Sequence, residues 1–156
     1  MDIILDNIDK QILGLMQNNA RISNADLARE LKMAPSAVLE RVKKLENKKI
    51  ITGYITQINP AAVQQKLLAF IFIRSSEGFT CDTKTAQALS KIPEVQEVHH
   101  IAGEDCFLIK VRTEDSASLM TLMRNSLKKI PNLASTKTTI VLETVKEQPG
   151  LVISKN

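Results

Sequence analysis

The apolar positions at the start of the chain recur at helical spacing. Leu5, Ile8, Ile12 and Leu15 share one face, Asp6 stands where an N-cap belongs, and Asn18-Asn19 ends the run. Ser23-Asn24-Ala25-Asp26 has the form of a capping box. A short second helix, from about Asn24 to Lys32, is expected to bury Leu27, Ala28 and Leu31. Three residues, Met33-Ala34-Pro35, separate it from the next helix. Pro35 suits a first helical position, where its missing N–H would be unpaired anyway. The third helix is expected over Pro35 to Asn47, with Val38, Val42 and Leu45 as its inner stripe. Ser36, Ala37, Glu40, Arg41, Lys43 and Lys44 lie off that stripe. From Ile50 to Ile58 the apolar residues alternate beyond Gly53, as in a small hairpin or wing.

The second half has a different rhythm. Leu67 to Ile73 is an unbroken apolar strand, and Glu77-Gly78 turns the chain. Thr80 to Lys91 reads as a helix, Val95 to Ile101 as a strand, and Ala102 to Asp105 as a hairpin turn. Cys106 to Arg112 is a strand, Asp115 to Ile130 a helix, and Leu133 to Val145 a long final strand. The order β-α-β-β-α-β is that of a ferredoxin-like split βαβ unit. The fold class is therefore α+β: an N-terminal winged helix-turn-helix followed by a ferredoxin-like domain. The boundaries fall at 1–59 for the first domain, 60–66 for a linker and 67–156 for the second. Both helices of such a fold cover one face of the sheet. The strand Leu67–Ile73 is apolar on both faces, so something must cover the other one. An identical domain is the simplest cover, giving a two-fold dimer.

Charge changes this picture in one place. The formal net charge is only +4. Between Arg21 and Pro60, however, there are eight Lys or Arg against four Asp or Glu, while from Lys66 onward the ratio is twelve to ten. Much of the excess sits between Arg41 and Lys49. A helix-turn-helix needs a helix that crosses the DNA backbone, a tight turn and a second helix with a polar outer face for the major groove. Arg41, Lys43 and Lys44 suit phosphate contact, which gives affinity without sequence choice. Ser36, Ala37 and Glu40, near the helix start, are placed to touch base edges. Glu40 either accepts from a cytosine amine or pairs with Lys43 or Lys44. The plain alternative is a three-helix scaffold with a solvated basic face.

Other chemistry finds no support. Aromatic content is 3% with no Trp, which argues against base-stacking surfaces for single strands. His99 and His100 are strand neighbours pointing to opposite faces, so they cannot chelate one ion together. Cys106 has no histidine tied to it by motif and reads as structural, not as a nucleophile. No P-loop, dinucleotide fingerprint, zinc-protease motif or nucleophile elbow is present. No catalytic residue, metal ligand or cofactor is therefore assigned. The cysteines, Cys81 and Cys106, are far apart and lack metal spacing. With no leader-like start and no long apolar run, a reduced, soluble, cytoplasmic protein is expected.

The ordered residues resemble the Lrp/AsnC (leucine-responsive/asparagine-operon, feast/famine) family of transcriptional regulators. The resemblance spans nearly the whole chain. It is carried by Leu5-Asp6 with Asp9, Asn18-Asn19-Ala20-Arg21, Leu39-Glu40-Arg41-Val42 and Ile50-Ile51-Thr52-Gly53-Tyr54. In the second half it is carried by Gly103-Glu104-Asp105-Cys106-Phe107-Leu108 and Thr136-Lys137-Thr138. It implies a nucleoid-associated regulator of amino-acid metabolism that binds double-stranded DNA, with homodimers assembling to octamers. It also implies an amino-acid effector held between dimers. That pocket would use Ile101, Ala102, Gly103, Glu104, Asp105 and Cys106, with Ser135, Thr136 and Thr138 from a neighbour. Three positions depart from the family pattern. Ala34 replaces a Ser before the Pro, so the cap is lost or passes to Ser36; Lys49 replaces a Gly; and Cys106 replaces an Asp. The alternative is a ligand-binding oligomeric α/β protein without specific DNA binding.

Overall fold

The computed structural model describes residues 4–76 and 83–154. The chain divides into two compact units, Met1–Gln57 with Lys146–Asn156, and Ile58–Val145. The segment from Lys146 onward groups with the N-terminal unit.

The first unit is built on α1 (Asn7–Asn18), α2 (Asn24–Leu31) and α3 (Pro35–Asn47). Asp6 caps α1 in a full capping box with Asp9, and Ser23 caps α2 through the Asp26 N–H. Lys32 takes a left-handed conformation, φ 53°, which ends α2 and turns the chain into α3. Ile12, Leu27, Ala28, Val38, Val42 and Leu45 form the buried core. The small Ala28 stands in that core on α2, as expected for a close helix crossing.

The expected wing does not form within the chain, because 50–58 has no strand pairing. The Ile50 and Ile51 N–H groups both donate to the Leu45 carbonyl, at 2.9 and 3.2 Å. The start of the segment is thus spent closing α3.

The second unit has one four-stranded antiparallel sheet in the order β2-β3-β1-β4. Its strands are β1 (Leu67–Ser75), β2 (Val95–His100), β3 (Phe107–Thr113) and β4 (Leu133–Ile140). The helices are α4 (Thr83–Ser90) and α5 (Ser116–Asn125), the latter capped by Asp115. The expected turn at Glu77-Gly78 and the helix start at Thr80 lie outside the described residues. Ala69, Ile71 and Ile73 of β1 join Phe107, Ile109 and Val111 of β3 in a core with Leu89, Leu119 and Leu122. β4 is shorter than the strand expected to reach Val145. Its last bond is Val141 N–H to the Leu68 carbonyl at 2.9 Å, where β1 itself begins. Beyond that point β4 has no strand to pair with.

The opposite face of the sheet carries Phe70, Phe72 and Leu108, all half-buried. Lys137 lies over the Phe72 ring at 5.9 Å. Lys110 donates to Glu97 at 3.1 Å, and the His99 ring lies 3.0 Å from the same carboxylate. His99 and Lys110 together hold the Glu97 carboxyl below its ordinary range.

Candidate functional site

α3 turns Val38, Val42 and Leu45 inward and leaves Ser36, Glu40, Lys43 and Lys44 exposed, with Ala37 half-buried. Four of the six residues expected at a DNA surface are therefore exposed on the second helix of the motif, and Ala37 and Arg41 are half-buried. Ala34 occupies the N-cap and no side-chain cap bond forms there, so the cap is lost. At the other end Lys49 holds φ 57°, the left-handed geometry that a glycine would adopt freely.

Arg41 is engaged differently from its neighbours. Its Nη1 donates to Asp6 Oδ2 at 2.6 Å and to Asp9 Oδ1 at 2.7 Å. Asp9 is only 6% exposed, so this pair ties α3 to the start of α1. The Asp9 N–H and the Arg41 guanidinium hold the Asp6 carboxyl below its usual range. Nothing in local spacing signals this contact, since Arg41 is 35 residues from Asp6. Tyr54 adds a second clasp by donating to Glu46 Oε1 at 2.7 Å. Burial and that carboxylate push the Tyr54 phenol up to about 12.

The second candidate site is a cavity of about 740 Å³ at the β2–β3 hairpin. Ile101, Ala102, Gly103, Glu104, Asp105 and Cys106 all line it. Two hydrogen bonds shape the tip. Ile101 N–H donates to the Cys106 carbonyl at 3.0 Å, and Cys106 N–H to the Ile73 carbonyl at 2.8 Å. Gly103 has φ 146°, a conformation that side-chain-bearing residues rarely adopt, so glycine here is a backbone requirement. Sequence reasoning missed Arg74, Ser75, Ser76 and His100, which complete the lining. Arg74 reaches the tip through the Glu104 carbonyl at 3.3 Å and carboxylate at 3.2 Å. The register Ile73↔Phe107, which brings the end of β1 beside the hairpin, was the signal that only pairing could supply.

Ser135, Thr136 and Thr138 lie on β4, opposite Arg74, Ile73 and Ile71, and do not line this cavity. The Thr138 hydroxyl donates to Met123 Sδ at 3.7 Å. His100 packs on Phe107, with ring centroids 5.3 Å apart. Cys106 is buried and disulfide-bonded, which corrects the expectation of a reduced thiol; sequence separation alone carries no information on pairing. Cys81 lies outside the described residues. Among the described residues no group of His, Cys, Asp or Glu could hold a metal ion. No described helix is long and apolar enough to cross a membrane.

A helix-turn-helix with an outward polar helix, followed by an α+β domain with a lined cavity, defines a ligand-responsive DNA-binding regulator. The AsnC-type helix-turn-helix domain matches residues 5–46, and the Lrp/AsnC ligand binding domain matches residues 68–151. The leucine-responsive regulatory protein of Escherichia coli (strain K12) is 35% identical over 150 residues, 96% of this chain and 92% of that protein. The feast or famine regulatory protein of M. tuberculosis complexed with L-methionine superposes with a TM-score of 0.88 at 28% identity, over 97% of this chain and 100% of that one. A transcriptional regulator of Neisseria meningitidis, in its L-Met complex, gives 0.87 at 26% identity, over 96% and 97%. The chain belongs to the Lrp/AsnC family of transcriptional regulators, and is a DNA-binding regulator with a ligand-binding domain, not an enzyme.

Proposed function

We propose that this protein regulates genes of amino-acid metabolism, and that an amino acid bound at the hairpin cavity modulates its grip on DNA. α3 enters the major groove. Lys43 and Lys44 hold phosphates, while Ser36, Ala37 and Glu40 meet base edges. Arg41 serves α3 chiefly by fixing its angle to α1, since both carboxylates of that end already engage its guanidinium. The half-bare sheet face with Phe70, Phe72 and Leu108 is covered by a second copy, and dimers assemble further to an octamer. The site of action is the cytoplasm, at the nucleoid. Ser135, Thr136 and Thr138 serve the pocket from a neighbouring dimer.

The observation that carries the effector reading is the cavity itself. All six hairpin residues expected from the sequence line one hollow, and Arg74, Ser75 and Ser76 add polar groups able to meet a carboxylate. Two relatives of the same fold were solved with L-methionine. Calorimetric titration with a panel of L-amino acids, L-methionine first, tests this. Saturable binding by one of them, with a matching shift in affinity for the DNA upstream of the protein's own gene, is expected. Absence of binding across the panel would overturn the effector reading and leave the DNA reading standing.

A further inference from the structure

After β4 the chain does not trail away. Val141 is the last residue paired with the sheet, and Leu142 and Val145 are almost fully exposed. The segment then meets the outer face of α1. Gln17, in the last turn of α1, pairs its side-chain amide with the backbone of Leu151 in both directions. Its Nε2 donates to the Leu151 carbonyl at 2.7 Å, and the Leu151 N–H donates to its Oε1 at 2.9 Å. A side-chain amide used in this way imitates the two-bond exchange between neighbouring strands. A Cβ on Gly150 would meet the Gln17 side chain at ordinary van der Waals distance, 3.4 Å from its Nε2. Two residues past Leu151, the half-buried Ile153 lines one hollow of about 410 Å³ together with Asn7, Gly14, Leu15, Asn18 and Leu31. Gly14 adds to the room, as nothing stands within 4 Å of the place its Cβ would take.

We propose that residues 148–154 form a strap, docked on α1, through which the effector-binding domain controls the DNA-binding unit. The strap is covalently continuous with β4, the strand bearing Ser135, Thr136 and Thr138. It docks on the helix to which Arg41 ties α3. The DNA-binding unit thus has a second tether to the other domain besides the connection after Gln57. A second tether restricts the orientations a DNA-binding unit samples. That raises the effective concentration of its partner unit at a two-half-site DNA. Any ligand that shifts β4 acts on the same tether.

The strap rests on the DNA reading only for its consequence; docking is testable by itself. Hydrogen exchange on the full chain is measured for the wild type, for Gln17→Leu and for a chain ending at Glu147. The docked strap protects the Leu151 amide in the wild type and loses that protection in Gln17→Leu. Exchange in α1 rises in both variants. On upstream DNA both variants bind about tenfold more weakly than the wild type, and by similar factors. A Leu151 amide that exchanges freely in the wild type overturns the docking. Protection with unchanged DNA affinity in both variants overturns the control. If the wild type itself fails to bind DNA, the DNA reading and the control fall together, while docking is still decided by exchange.

Discussion

Arg41 Nη1 in the recognition helix lies 2.7 Å from Asp9 Oδ1 at the start of the first helix. Asp9 is a buried carboxylate, and the guanidinium is 30% exposed in its side chain. Such a contact fixes the angle between helices more than it offers charge to a ligand. Arg41→Ala leaves Asp9 without its ion-pair partner. Chemical denaturation is expected to show a loss on the order of 1–3 kcal/mol in the first unit. The Asp6 carboxyl titrates below its ordinary 3.8 in the folded chain. Its stabilisation is therefore whole above that pH and is lost as pH falls through the lowered value. Arg41→Ala should flatten that acid limb, and a variant as stable as the wild type across it would refute the clasp.

Lys49 stands at φ 57° just past α3. Its N–H donates to the Glu46 carbonyl at 2.9 Å, so the residue closes the helix in a geometry suited to glycine. Lys49→Gly is expected to raise stability by about 0.5–1 kcal/mol, and Lys49→Ala is not. Thermal unfolding of the two variants side by side separates the backbone effect from the lost charge.

Gly103 gives the complementary case. A Cβ there meets nothing within 4 Å, so Gly103→Ala is opposed by backbone conformation and not by crowding. The cost is on the order of 1–3 kcal/mol, together with weaker binding of the effector as the hairpin tip shifts. Gly53 has equally open space and no positive φ, so Gly53→Ala serves as the near-neutral control.

The helices were legible because their ends are written in residue chemistry. Asp6, Ser23 and Pro35 each start an element at the expected place, and Pro35–Asn47 matches the expected span. The element order β-α-β-β-α-β was legible in the alternation of strand and helix patterns. What local patterns could not carry was pairing over distance. β4 ends where β1 begins, so its length depended on a partner and not on its own apolar run. The segment after α3 reads as a wing until the Leu45 carbonyl claims its first two amides. The ion pair of Arg41 with Asp6 and Asp9, which come from another helix, has no local signal. Of the pocket, the hairpin was readable as a motif. Arg74, Ser75 and Ser76 were not, because register alone brings them there.

The role of α3 in DNA binding is tested by a salt titration of binding to the upstream DNA and to a scrambled sequence. It compares the wild type with the Lys43→Ala/Lys44→Ala double variant. The wild type is expected to prefer the upstream DNA, and the variant to bind both DNAs uniformly more weakly with a log–log salt slope shallower by about 2. Equal binding of the wild type to both DNAs, with the same slope in the variant, would contradict the assignment of α3 as the DNA-reading helix.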